Sequence, residues 1–144
     1  MSFKKMNYEQ MVNDALLSVV RNILGIVAKD GLYKKQHLYI IFATQHPGVD
    51  ISEFLAEEFD EEMTIVLQYE FWDLKIDNYG FSVTLAFEHD DETLYIPFSS
   101  ITSLSDPSED FSIELRPNFA DVKESADKGA KSNVVTLDIF RKGD

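Results

Sequence analysis

The sequence contains no cysteine, one tryptophan and four prolines in 144 residues. Without cysteine the protein has no disulfide framework, no thiolate metal site and no cysteine nucleophile, which fits a reducing cytoplasm. No continuous apolar run approaches the roughly 20 residues that cross a bilayer, and the N-terminus lacks the apolar core of a secretory signal. The sequence therefore predicts a cytoplasmic protein without a membrane partner.

Positive charge is scarce and unevenly distributed. The chain has 13 Lys and Arg residues against 26 Asp and Glu residues, which gives a formal net charge of −13. Between residues 36 and 115, Lys75 is the single basic residue against 18 acidic ones, so this stretch carries a net charge of −17. Because nucleic-acid binding depends on Lys and Arg contacts to phosphate, the charge argues against a nucleic-acid partner.

The first long segment has the pattern of a helix with an unusually wide apolar face. Asn7 followed by Gln10 is typical of a helix N-terminus, and Gly31 favours termination, so we expect a helix from Tyr8 to about Lys29. Its apolar residues cover about half of the circumference, whereas packing on one sheet needs an arc of about 100°. The additional apolar surface indicates either a helix buried deep in the core of its own domain or a helix that forms a homodimer. The candidate dimer contacts are Val12, Leu16, Val20 and Ile23.

Short β-rich runs separated by turns follow this helix. A short acidic helix is expected at Glu53–Phe59. Strands are expected at His37–Thr44, Met63–Glu70 with a continuation through Ile76, Phe81–Glu88, Thr93–Phe98 and Phe111–Leu115, and Ser99–Leu104 is either a short helical turn or a strand. Hydrophobic residues make up 44% of the chain, enough to bury the core of one domain. The pattern predicts an α+β fold with the N-terminal helix packed on a small antiparallel β-sandwich or barrel.

The chain changes character at Pro117. Residues 117–133 are small, polar and mixed in charge, which is typical of a flexible linker. Residues 134–144 are apolar and basic before a final Gly143-Asp144. They form either a last strand that packs on the domain or a short binding motif on a flexible C-terminal tail. The expected division is therefore a folded domain at 1–116, a linker at 117–133 and a motif at 134–144.

No pattern in the sequence predicts catalysis. The three histidines, His37, His46 and His89, have no metal-ligand spacing, and the chain lacks the common nucleotide-binding and nucleophile-elbow fingerprints. We therefore expect a protein that is not an enzyme and that uses neither a metal ion nor another cofactor.

Two of the predicted strands indicate a binding groove. Alternation places an apolar set that includes Tyr69 and Phe87 on the core face of Met63–Trp72 and of Phe81–Glu88. The other face carries mainly small or polar residues, together with Val66. If the two strands are neighbours, the second face forms either an ordinary half-exposed surface or a shallow groove with room for a peptide backbone. The candidate peptide-binding residues are Gln68, Trp72, Thr84 and Ala86.

The same strands resemble those of a known family. Met63-Thr64-Ile65-Val66-Leu67-Gln68, followed by Phe71-Trp72-Asp73-Leu74, resembles the SspB (stringent starvation protein B) family of ClpXP protease adaptors. His37–Ile40, Phe81–Leu85 and Ile96–Phe98 support the likeness, which covers residues from about 8 to 116 and the tail motif. The alphaproteobacterial branch is the most similar.

The resemblance implies a function for both parts of the chain. It implies an Sm-like β-fold, a homodimer built on the N-terminal helix, and a groove that binds the ssrA tag added to stalled nascent chains. It also implies a C-terminal motif that docks on the N-terminal zinc-binding domain of ClpX. In this chain that motif falls on Leu137, Ile139, Phe140, Arg141 and Lys142.

The tail departs from the family pattern at its end. Gly143-Asp144 follow the motif, whereas the motif ends the chain in better-known members. The expected function is a non-enzymatic adaptor that tethers ssrA-tagged proteins to ClpXP. The alternatives are an Sm-like RNA-binding module, another peptide-binding module and a small hydrolase.

Overall fold

A long helix followed by seven short strands makes up residues 5–120, the part of the chain that this computed structural model describes. The helix, α1, spans Tyr8–Asp30. The Asn7 side chain accepts a hydrogen bond from the Gln10 N–H at 3.1 Å, and Gly31 adopts φ 80° while its N–H donates to the Val27 carbonyl. Both ends of the predicted helix are therefore confirmed to within one residue.

The strands form two antiparallel sheets. Their bounds, with the short helix α2 at Glu53–Glu58, are β1 Leu38–Ala43, β2 Glu62–Leu67, β3 Phe71–Ile76, β4 Gly80–Ala86, β5 Asp91–Pro97, β6 Ile101–Asp106 and β7 Phe111–Glu114. The strand order is β2-β1-β6-β7 in one sheet and β3-β4-β5 in the other. The predicted α+β fold is confirmed, and within residues 5–120 the sheets are open rather than closed into a barrel.

One predicted strand is wrong. The run from Met63 through Trp72 is two strands in two different sheets, because the chain bends at residues 68–70 between β2 and β3. Tyr69, expected on the core face, is 82% exposed in this bend. The alternation of apolar and polar residues continues across the bend, and no glycine or proline marks it. The sequence pattern therefore predicts one continuous strand where the structure has two.

The core lies between the sheets and the inner face of α1. Val20, Leu24 and Val27 are the buried residues of α1, and they join a cluster with members on most strands. The helix packs against β3 and the 3₁₀ turn Phe98–Ser100. Arg21 adds two contacts, because its Nη2 donates to the Asn78 carbonyl at 3.0 Å and its guanidinium lies 5.1 Å from the Phe98 ring centre.

The outer side of α1 remains apolar and exposed. Val12 is 59% exposed, and Tyr8, Met11, Val19 and Ile26 are exposed as well. Of the other predicted dimer contacts, Leu16 and Ile23 are half-buried, whereas Val20 is fully buried in the chain's own core. Val20 therefore faces inward and has no surface left for a second copy, while Val12 does.

By length and composition alone, α1 is long and apolar enough to cross a membrane. The sequence reading did not expect this, because Asp14 and Arg21 interrupt the apolar run. Core helices of soluble proteins pass the same test. Here one side of the helix packs into the core of the domain, so the composition of α1 is weak evidence for a membrane anchor.

The end of the described chain is held against the body. The Arg116 N–H donates to Asn13 Oδ1 at 2.9 Å, and the Arg116 guanidinium pairs with Glu9 at 3.1 Å. His46 Nδ1 accepts from the Gly48 N–H, which leaves the Nε2 proton of the neutral ring to be donated to the Asn118 carbonyl at 2.9 Å. Most of the predicted linker and all of the predicted ClpX-docking residues lie outside the described residues.

Candidate peptide-binding groove

A groove of about 410 Å³ lies where β2 and β4 end. It is lined by Thr64, Ile65, Val66, Gln68, Tyr69, Glu70, Leu85, Ala86 and Phe87. Since β2 belongs to one sheet and β4 to the other, the groove marks the seam between the two sheets. The chain crosses that seam in the bend between β2 and β3.

The sequence of β2 explains the wall that it contributes. Met63, Ile65 and Leu67 are buried, so Thr64 and Val66 point outward toward solvent. In the described sheet β2 is an outermost strand and pairs only with β1. An edge strand carries N–H and C=O groups on its free side that can pair with an added extended chain. The groove therefore offers side-chain contacts and a backbone edge together.

The structure brings two of the four predicted peptide-binding residues into this groove. Both line it, although Gln68 lies in the bend after β2 and Ala86 ends β4 of the other sheet. The Gln68 amide can donate and accept hydrogen bonds, and the small Ala86 side chain leaves space beside it. The groove thus arises at the bend between β2 and β3, rather than on two neighbouring strands of one sheet, which was the condition of the sequence prediction.

The other two predicted residues lie together next to the groove. Trp72 is directly opposite Thr84 in the β3–β4 ladder, and neither is among the lining residues. The Thr84 hydroxyl is 2.8 Å from the Thr93 hydroxyl, so it forms a cross-strand pair with β5. Trp72 is 45% exposed and one cross-strand diagonal from Ala86. A role for these four residues in peptide binding stays a prediction.

Of the nine lining residues, the sequence analysis singled out Gln68 and Ala86 alone. Tyr69 and Phe87 were expected in the core, and Glu70 was not singled out. Tyr69 reaches the groove because it lies in the bend, which the alternation does not reveal. For Val66 and Glu70 a signal was present, since the alternation placed both on the same face as Gln68.

An aromatic cluster supports the wall formed by Phe87. The His89 ring lies 5.9 Å from Phe87 and 4.6 Å from Phe54 of α2. His89 Nε2 is 2.8 Å from the Glu92 carboxylate, which fixes the orientation of the imidazole. The cluster joins α2 to the turn after β4 and limits the movement of Phe87.

The groove offers contacts for binding. Its lining combines aliphatic and aromatic side chains with the Gln68 amide, the hydroxyls of Thr64 and Tyr69, and the carboxylate of Glu70. Among residues 5–120 no group of three or more potential metal ligands is close enough to hold an ion. An extended peptide fits the combination of apolar walls, the Gln68 amide and the free edge of β2.

The model of the stringent starvation protein B family, SspB, matches residues 10–138, which is most of the chain. No curated protein matches the chain.

Proposed function

The chain belongs to the SspB family, and on that premise we propose that it is a non-enzymatic cytoplasmic adaptor that binds ssrA-tagged proteins and delivers them to the ClpXP protease. The groove between β2 and β4 is the observation that carries the proposal. It combines Gln68, Ala86 and the edge of β2, and these features suit a peptide bound in extended form.

The second half of the proposal concerns the tail. We assign docking on the N-terminal zinc-binding domain of ClpX to Leu137, Ile139, Phe140, Arg141 and Lys142. A molecule that holds a tagged protein at one site and the protease at another makes their encounter intramolecular, which raises the local concentration of substrate at the protease. Such an adaptor needs no chemistry of its own.

A homodimer through α1 completes the proposal. The exposed side of the helix carries Tyr8, Met11, Val12, Val19 and Ile26. A contiguous apolar face of this kind is typical of an interaction surface. Two copies joined there would carry two grooves and two tails, and simultaneous engagement of both tails would strengthen the hold on a multimeric protease.

The proposal is tested by two measurements on the purified full chain. A fluorescein-labelled ssrA peptide is titrated with the protein and followed by fluorescence anisotropy, with a peptide of the same composition in scrambled order as control. Degradation of an ssrA-tagged reporter by ClpXP is then timed at low substrate concentration with and without the protein. Saturable binding of the tag alone and faster degradation support the proposal, whereas equal binding of both peptides overturns it.

A further inference from the structure

The groove lies in a strongly acidic body, while the last segment of the chain is apolar and basic. Glu70 lines the groove, and residues 36–115 carry a net charge of −17. The segment Val134–Lys142 has Arg141 and Lys142 against Asp138, together with five large apolar residues. The body and the segment are therefore complementary in charge, and the groove provides apolar walls as well.

The segment also has a pattern that suits the edge of β2. Val135, Leu137 and Ile139 alternate with Thr136 and Asp138, which is the period of an extended strand with one apolar face. An extended segment added beside an edge strand satisfies the backbone groups of both and places every second side chain toward the groove. Val66, on the outward face of β2, and Phe87 are apolar residues that such a face would meet.

The position of the last described residues places the segment within reach. The Phe119 ring lies 5.5 Å from His46, and the His46 N–H donates to the carbonyl of Ala43, the residue opposite Glu62 at the start of β2. On β2 the groove begins at Thr64, two residues after Glu62. At about 3.3 Å per residue, Gln68 lies about 20 Å along the chain from Glu62. Residues 121–133 can span at most about 45 Å, so the segment reaches the groove of its own chain.

We propose that Val134–Lys142 binds reversibly in the groove of its own chain and competes there with the ssrA tag. The inference rests on the proposed function, because it concerns the same groove and the same tail. Tag binding displaces the segment and frees it for ClpX, so that a loaded adaptor engages the protease more readily than an empty one.

A weak interaction is sufficient for this competition. Tethering gives an effective concentration of about 1 mM, so a segment with a separate Kd of about 0.3 mM would occupy the groove about three quarters of the time. The apparent Kd of the tag then rises about fourfold, because the free groove is populated only in the remaining fraction.

The experiment measures the Kd of a labelled ssrA peptide by anisotropy for four forms of the protein. These are the full chain, a chain that ends at Asn133, the full chain with Arg141→Glu and Lys142→Glu, and a matched control with Lys123→Glu and Lys128→Glu. The control has the same change in net charge within the linker. We expect the shortened chain and the tail variant to bind the tag about fourfold more tightly than the full chain, and the linker variant to bind like the full chain.

A second arm uses a synthetic peptide of residues 134–142 and the shortened chain. At millimolar concentration this peptide should displace the labelled tag, and a scrambled peptide should not. An unchanged Kd on removal of the segment, together with no displacement by the peptide, overturns self-docking while tag binding stands.

Hydrogen exchange separates the two proposals. The amides of Thr64–Leu67 should exchange more slowly in the full chain than in the chain that ends at Asn133. If no form binds the tag, the proposed function fails and this comparison still decides self-docking. Equal exchange of β2 amides in both chains would then overturn self-docking.

Discussion

The Tyr95 hydroxyl donates to the Asp77 carboxylate, with its oxygen 3.0 and 3.2 Å from the two carboxylate oxygens. Asp77 Oδ1 also accepts the N–H groups of Tyr79 and Gly80 at 2.8 and 2.9 Å. One carboxylate thus shapes the turn between β3 and β4 and connects it to β5. Burial, and after it the hydrogen bond and the negative charge of Asp77, raise the pKa of Tyr95 well above its usual value.

This raised pKa predicts a loss of stability in alkaline solution. Below pH about 10 both the folded and the unfolded chain hold the phenol proton. Above that pH the unfolded chain releases it while folded Tyr95 keeps it, so the free energy of unfolding falls as pH rises. If one proton were released by the unfolded chain alone, the free energy of unfolding would fall by roughly 1.4 kcal/mol per pH unit. The observed slope should be smaller, because the Tyr95 ring is partly exposed and solvent screens its interactions.

Urea titrations between pH 8 and 11 measure this slope. Tyr95→Phe should reduce it and cost about 1 kcal/mol at neutral pH from the lost hydrogen bond. Tyr33→Phe, at an exposed tyrosine, should leave the slope unchanged. An identical slope in the Tyr95→Phe chain would contradict the assignment.

Two glycines should respond in opposite ways to the same substitution. A Cβ at Gly80 would collide with the Ile96 carbonyl oxygen and lie 2.7 Å from the Pro97 Cα, both of which are backbone atoms of the paired strand. Gly80→Ala should therefore destabilise the fold by about 1–3 kcal/mol. At Gly25 in α1 a Cβ meets nothing within 4 Å, so Gly25→Ala should stabilise the helix by up to about 1 kcal/mol. Thermal unfolding of both variants gives the comparison.

Filling the groove should weaken tag binding without unfolding the domain. Ala86→Gln adds a long side chain at an exposed position of the lining, so we expect at least a tenfold rise in the Kd of a labelled tag peptide, about 1.4 kcal/mol. Ser112→Gln places the same side chain on exposed β7, away from the groove. Full-strength binding by the Ala86→Gln chain would remove Ala86 from the site.

Removal of the tail should separate binding from delivery. A chain without residues 134–144 should still bind the ssrA peptide but lose the acceleration of ClpXP degradation, because the contact with the protease is gone. Deletion of the same number of residues at 121–131 keeps the motif and serves as the control. Timed degradation of a tagged reporter compares the two, and unchanged delivery by the tail-deleted chain would refute the docking assignment.

The exposed side of α1 should determine the oligomeric state. Val12→Asp introduces a charge into the apolar surface and should convert a dimer to a monomer, with a change in stability within about 0.5 kcal/mol because Val12 is exposed in the single chain. Ser18→Asp adds a charge on the side of the same helix that carries Gln10, Asp14 and Arg21, and it should keep the dimer. Light scattering after size exclusion reports the mass, and equal masses for both variants would exclude this surface.

Capping residues and hydrophobic alternation allowed the helix and most strands to be predicted from the sequence. The position of the groove depends on tertiary structure, which these local signals do not report. Asn7 and Gly31 mark the ends of α1 by capping and backbone freedom, and alternation identifies the buried face of β4. The bend that contains Tyr69 has neither a capping residue nor a break in the alternation. It forms where the chain passes from β2 in one sheet to β3 in the other. Gln68 and Ala86 were therefore identified as candidates from the sequence, while the geometry that unites them was not.

The contacts of Arg116 with Glu9 and Asn13 bring the first turns of α1 next to the departure of the C-terminal segment. A fluorescent protein or purification handle fused ahead of α1 would consequently crowd the segment and whatever it captures. Labels for imaging or pull-down experiments are better inserted at the exposed turn Pro107–Glu109 between β6 and β7, because the turn after β4 holds Phe87 of the groove wall.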